Sequence, residues 1–73
     1  MNSSIYEGLA SEFRKAMVDR GIRTEKELAR ASGVSRATVS AILNGKVVAL
    51  ASLSSVADAL ELELQISALK RAA

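Results

Sequence analysis

The chain has 73 residues and a formal net charge of +2, and it contains neither histidine nor cysteine. Its length suits one compact domain with one small core. Without those two residue types we expect no disulfide, no thiolate nucleophile, no imidazole base and no metal site of the usual ligand types. These absences exclude most enzyme mechanisms, so we expect a protein that is not an enzyme and needs no cofactor.

The charges are unevenly distributed along the chain. All eight carboxylates lie either between Glu7 and Glu27 or between Asp58 and Glu63. The section from Leu28 to Ala57 therefore carries only positive charges, on Arg30, Arg36 and Lys46. A patch of that sign favours a phosphate-bearing partner. Three cations in thirty residues are also compatible with an ordinary solvated surface.

Long apolar segments are absent. The longest apolar run is VVALA, from Val47 to Ala51, which is too short for a membrane span or for the hydrophobic region of a signal peptide. We therefore expect a soluble, cytoplasmic protein without a membrane partner.

The first predicted helix runs from about Ser4 to Arg20. Ser4 and Glu7 have the spacing of a capping box, and Gly21 supplies a residue that tolerates the left-handed conformation at the helix end. Between these limits an apolar residue recurs at every fourth position, which indicates one buried stripe: Ile5, Leu9, Phe13 and Met17.

Two short helices follow. Thr24 and Glu27 form a second capping-box pattern, which begins a helix through about Ala31 that Gly33 ends. Ser35 is a favourable N-cap for a third helix, closed by Asn44 and Gly45. The third helix has one apolar side, formed by Val39, Ile42 and Leu43.

A fourth helix is predicted after a loop at residues 46–49, and it ends near Leu60. Its apolar residues share one face: Leu50, Leu53, Val56, Ala57 and Leu60. Its N-terminus is poorly capped, because Ala49 occupies the position where a hydroxyl side chain is expected.

The tail changes period. Leu62, Leu64 and Ile66 alternate with polar residues, as in a β-strand, although leucine and glutamate also favour a helix. A lone strand leaves its backbone groups unpaired. We therefore expect the same segment of a second copy to pair with it antiparallel about a two-fold axis. The predicted dimerisation segment covers about residues 60–67, with contacts from Leu60, Leu62, Leu64 and Ile66.

Spacing around Gly33 indicates a helix-turn-helix. Ala29 is small enough for two helices to touch, and Gly33, four residues later, suits a turn with positive φ. Val34, Val39 and Ile42 follow at the spacing that holds the second helix against a core. An ordinary helical hairpin is the alternative interpretation.

The segment TEKELARASGVSRATVSAILNGK resembles the XRE/Cro-type helix-turn-helix family, and the resemblance extends over nearly the whole chain. It implies an all-α, lambda-repressor-like bundle of four to five short helices, plus the C-terminal strand. Residues 1–73 then form a single DNA-binding domain with the helix-turn-helix at about 24–44. The segment LSSVADALELELQI is also similar to the HipB and HigA antitoxins of that family, in which a strand after the last helix joins the dimer.

The resemblance places the third helix in the major groove of double-stranded DNA. Small side chains on its exposed face allow close approach to base edges, and the candidate base-reading residues are Ser35, Arg36, Ala37, Thr38, Ser40 and Ala41. Residues on either side are expected to contact the sugar-phosphate backbone: Thr24, Lys26, Asn44 and Lys46. The alternative is that these small polar residues simply solvate an exposed helix.

The resemblance implies a homodimeric, sequence-specific transcriptional regulator, usually a repressor. The alternative function is an antitoxin that covers a toxin protein and regulates its own operon. Some positions depart from the family pattern: Ser32 replaces a more apolar residue, and Glu61 replaces a glycine. Met17 and Leu43 stand where some phage repressors carry a buried Arg–Glu pair, so an apolar contact is expected there.

Overall fold

The computed structural model describes residues 3–62. This part of the chain contains four helices and no strand, with α1 at Ser3–Arg20, α2 at Glu25–Ser32, α3 at Arg36–Leu43 and α4 at Leu50–Ala59. The prediction of an all-helical bundle is confirmed for these residues. The predicted strand, with Leu64 and Ile66, lies outside them.

The first helix is close to its predicted limits. α1 begins at Ser3, so Ser4 lies inside the helix instead of capping it. At its end Gly21 has φ 72°, as predicted. The N–H of Gly21 donates to the Val18 carbonyl at 3.2 Å, and the N–H of Ile22 donates to the Met17 carbonyl at 2.9 Å. These two bonds form a Schellman motif, which turns Ile22 back against the core.

One hydrophobic core joins the four helices. Its largest fully buried side chains are Phe13, Leu28, Val39, Ile42, Val56 and Leu60. Met17 and Leu43 belong to the same buried cluster. The predicted apolar stripes are wrong at two positions, since Ile5 is 52% exposed and Leu50 is 46% exposed. Both stand in the first turn of a helix, where the facing helices do not cover them.

The residues at the end of α4 contradict one of the predicted dimer contacts. Leu60 is completely buried in the core of its own protomer, so its side chain has no surface to offer a second copy. Glu61 then adopts φ 56°, and Leu62 donates its N–H to the Ala57 carbonyl at 2.8 Å. This turn packs Leu62, partly buried, against the same core. The prediction that Leu60 joins an interface is therefore wrong.

The packing leaves one side of α3 uncovered. α3 packs on α1, on α2 and, less extensively, on α4, while α2 also packs on α4. Over the described residues, no helix has the length and apolar character needed to span a membrane. One face of α3 is therefore buried against the other helices, and its opposite face is exposed.

Candidate nucleic-acid interface

Gly33 forms the turn between α2 and α3. It has φ 74°, and its N–H donates to the Ala29 carbonyl at 2.9 Å. The predicted positive φ is therefore confirmed. Ser32, a departure from the family pattern, has a local role here, because its hydroxyl accepts from the Val34 N–H at 3.3 Å and donates to the Ala29 carbonyl at 3.4 Å. This hydroxyl satisfies backbone groups at the turn that precedes α3.

A reciprocal cap begins α2, as the sequence predicts. The Glu27 N–H donates to Thr24 Oγ1 at 3.1 Å, and the Thr24 N–H donates to Glu27 Oε1 at 3.2 Å. The same carboxylate accepts from the Arg23 N–H at 2.6 Å. Thr24 uses its oxygen as an acceptor in this box, so its hydroxyl proton remains available for a phosphate oxygen.

The N-terminus of α3 is capped by Ser35, whose Oγ accepts from the Thr38 N–H at 3.2 Å. The hydroxyls of Ser35 and Thr38 also lie 2.9 Å apart and share a hydrogen bond. That bond uses one of the two hydroxyl protons. One hydroxyl donor therefore remains at this end of α3 for an external acceptor.

Exposure varies among the predicted base-reading residues. Ser35, Arg36 and Ala37 are exposed, whereas Thr38, Ser40 and Ala41 are half-buried. The Arg36 side chain forms no hydrogen bond or ion pair with any residue in 3–62. The first turn of α3 thus presents a long cation between two small side chains, and its contact with a base stays a prediction.

Asn44 has a structural role at the other end of α3. Its Nδ2 donates to the Ser40 carbonyl at 2.8 Å and lies 3.4 Å from Ser40 Oγ. The amide has two N–H groups, so a phosphate contact requires only that the longer contact with Ser40 Oγ be given up, and the bond to the Ser40 carbonyl can remain. Lys26 and Lys46 are exposed on either side of α3, and their predicted phosphate contacts stay predictions.

Arg14 was missed by the sequence analysis. Its Nε and Nη2 donate to the carbonyl of Leu43, at 3.1 and 2.8 Å. The position follows the buried Phe13 and precedes Met17 by three residues, so the only sequence signal was its place at the edge of the α1 stripe. This side chain ties α1 to the last residue of α3.

Residues 3–62 contain no group of three or more acidic, histidine or cysteine side chains arranged to hold a metal ion. The geometry here is that of a helix-turn-helix with an exposed second helix and cations around it. That combination defines a DNA-binding class.

Comparison with known families agrees with this class. The sequence model of the Cro/C1-type HTH DNA-binding domain matches residues 12–65, a span that includes the whole helix-turn-helix and α4. The chain therefore belongs to the Cro/C1-type helix-turn-helix family, and DNA is its partner. No curated protein and no solved structure matched the chain.

Proposed function

We propose that the protein is a homodimeric repressor that inserts α3 into the major groove and reads a two-fold symmetric operator. Arg36 is the observation that carries this proposal. It stands in the first turn of α3, and its exposed side chain has no hydrogen bond or ion pair to residues 3–62. The protein acts by binding, with no catalytic step.

The position of Arg36 needs an external explanation. The N-terminal end of a helix carries a partial positive charge, so a cation in the first turn slightly destabilises the helix. A guanidinium fork matches the O6 and N7 acceptors of guanine in the major groove. Arg36 therefore reads a guanine in each half-site, with half-site centres about ten base pairs apart.

Base reading by Arg36 is separable from phosphate binding by Lys46. An operator is first selected from a random pool of duplexes with the native protein, and binding is then measured to it and to its single-base variants. R36A should lose about 1–3 kcal/mol of discrimination at one symmetric pair of positions. K46A should weaken binding to all duplexes alike, and it should reduce the slope of log affinity against log salt by about one.

K15A is the matched control, because it removes an exposed cation from α1 that is paired with Glu12 at 3.7 Å. Its affinity for every duplex should stay near that of the native protein. Equal weakening of R36A on every sequence would assign Arg36 to the phosphate backbone and contradict the proposed reading.

In the alternative function, an antitoxin, the protein binds a toxin as a second partner, and its DNA-binding surface is the same. The similarity of LSSVADALELELQI to HipB and HigA antitoxins is the only support for this alternative. Neighbouring genes distinguish the two functions, because an antitoxin is encoded beside its toxin. Co-expression with the product of the adjacent gene should then give a stable complex, whereas a simple repressor should purify alone.

A further inference from the structure

We propose that Arg14 of α1 is a positioning residue that sets the orientation of α3 on DNA without touching the DNA itself. The inference rests on the proposed function, since it concerns how that same reading helix is held.

A helix leaves its last four carbonyl groups without partners inside the helix. In α3 three of them accept bonds from the turn that follows. The Ser40 carbonyl accepts from Asn44 at 3.1 Å, the Ala41 carbonyl from Lys46 at 2.9 Å, and the Ile42 carbonyl from Gly45 at 3.1 Å. These three bonds are local, so they shape the helix end without fixing its direction in the fold.

The Leu43 carbonyl differs from the other three. Within residues 3–62 it accepts only from Arg14, which stands 29 residues away in the sequence. Two guanidinium N–H groups reach this one oxygen, and both bonds are partly buried. A cation at the C-terminal end also complements the negative end of the helix dipole. Arg14 is therefore a charge-assisted link between α1 and α3.

The link acts at a point of close packing. Gly45, two residues after Leu43, lies so near α1 that an added Cβ would be 3.2 Å from Glu7 Cγ and 3.3 Å from Glu7 Cα. Met17 and Leu43 both belong to the buried cluster, but apolar contact within it has little directional preference. The two hydrogen bonds of Arg14 supply the direction that this apolar contact lacks.

Direct measurement of the helix orientation tests this role without DNA. Residual dipolar couplings of the backbone amides are recorded for the native protein, R14M, R14K and the control K15M. In R14M the couplings of Arg36–Leu43 should no longer fit the native alignment, while those of α2 and α4 still do. In R14K the couplings of α3 should depart less from the native alignment, because lysine keeps the positive charge but donates only one hydrogen bond to the Leu43 carbonyl. K15M should fit as the native protein does.

DNA binding supplies the second measurement. The probes are the duplex that the native protein selects from a random pool and a scrambled duplex of equal length. R14M should lose on the order of tenfold in affinity for the selected duplex, as when one base contact is lost. Its affinity for the scrambled duplex and its salt slope should stay unchanged, because no phosphate contact is removed.

The outcomes separate the two proposals. Native couplings for α3 in R14M, or equal weakening on both duplexes with a smaller salt slope, would overturn the positioning role. If R14M does not fold, R14K takes its place in both measurements. Native couplings and native DNA affinity in R14K would then count against the proposal. If the native protein selects no duplex, the proposed repressor function fails, while the couplings still decide whether Arg14 orients α3.

Discussion

Gly45 is the residue where backbone conformation and close packing act together. Its φ of 74° lies in the left-handed region, which costs a residue with a Cβ about 1–2 kcal/mol. An added Cβ would also press on the Glu7 backbone. Gly33 has the same φ but open space around the position of its missing Cβ. A comparison of the two glycines therefore distinguishes the energetic cost of the left-handed φ from the cost of crowding.

We expect G45A to destabilise the protein more than G33A does. G33A carries the conformational term alone, roughly 1 kcal/mol after allowance for the lower entropy of the unfolded chain. G45A adds a crowding term of about 1 kcal/mol, because the nearest atoms of α1, Glu7 Cγ and Cα, must give way by a few tenths of an ångström. Urea unfolding of both variants measures the difference, and equal free energies of unfolding would contradict the close approach of α1.

Glu61 occupies a position that favours glycine. With φ 56° it stands between Leu60 and Leu62 in the turn that ends α4, and its N–H donates to the Asp58 carbonyl at 3.0 Å. Its carboxylate accepts from Arg20 at 3.3 Å, but the Glu61 side chain is 78% exposed. An exposed pair of this kind contributes little stability. The unfavourable φ therefore outweighs the ion pair.

We expect E61G to be more stable than the native protein by roughly 0.5–1 kcal/mol, the relief of left-handed strain less the greater backbone entropy of glycine. E61A removes the ion pair but keeps a Cβ in the left-handed region, so its stability should stay near the native value. Thermal unfolding of the three proteins measures this order. A stability of E61G no higher than that of E61A would show that the turn carries no strain.

At the scale of elements, the N-cap residues of α3 and α4 have nearly the same backbone conformation but different side chains. Ser35 has φ −60° and ψ 150°, and its hydroxyl caps α3. Ala49 has φ −62° and ψ 142°, and no side chain caps α4. The backbone of α4 is thus already arranged to use a hydroxyl cap that its sequence lacks.

We expect A49S to stabilise the protein by about 0.5–2 kcal/mol, the usual effect of replacing alanine with serine at an N-cap. The new hydroxyl should accept from the Ser52 N–H, which in the native protein donates to the Ala49 carbonyl at 3.0 Å, so the gain should fall in the lower part of this range. A49V is the control, because valine is also a poor cap, and it should bring no gain. Chemical denaturation compares the variants, and no difference between A49S and A49V would show that the N-terminus of α4 frays.

At the scale of the whole molecule, the burial of Leu60 leaves fewer of the tail residues that were predicted to contact a second copy. The remaining predicted contacts are Leu62, which is partly buried against its own core, and Leu64 and Ile66, which lie outside the described residues. We keep the dimer as a prediction, because the two-fold symmetric operator that we propose requires a two-fold symmetric protein. We expect the alternating segment after α4 to pair with the same segment of a second copy.

We expect L64K to be monomeric and to bind the operator weakly, because each apolar side chain of this size contributes about 1.5–3 kcal/mol when buried. Q65K is the matched control, since it adds the same charge at the polar position of the alternating pattern. It should remain a dimer. Sedimentation equilibrium measures the states, and a dimeric L64K would reject this arrangement, as a monomeric native protein would reject the dimer.

Local features of the fold were predictable from the sequence alone. The caps of α2 and α3, the positive φ of Gly21 and Gly33, and the missing cap at Ala49 each depend on residues within a few positions of one another. Backbone preference and short-range hydrogen bonds decide such features. The apolar periodicity predicted most of the core for the same reason, since it needs only the regular turn of a helix.

Tertiary structure decided the features that depend on how helices lie against each other. Periodicity placed Leu60 on an apolar face, but only the packing of α4 buried it in the protomer and removed it from the predicted interface. Arg14 reaches the Leu43 carbonyl because α1 crosses the end of α3, and no spacing within either helix encodes that crossing. Residues far apart in the chain meet only after the core has set the angles between helices, so these contacts needed the structure.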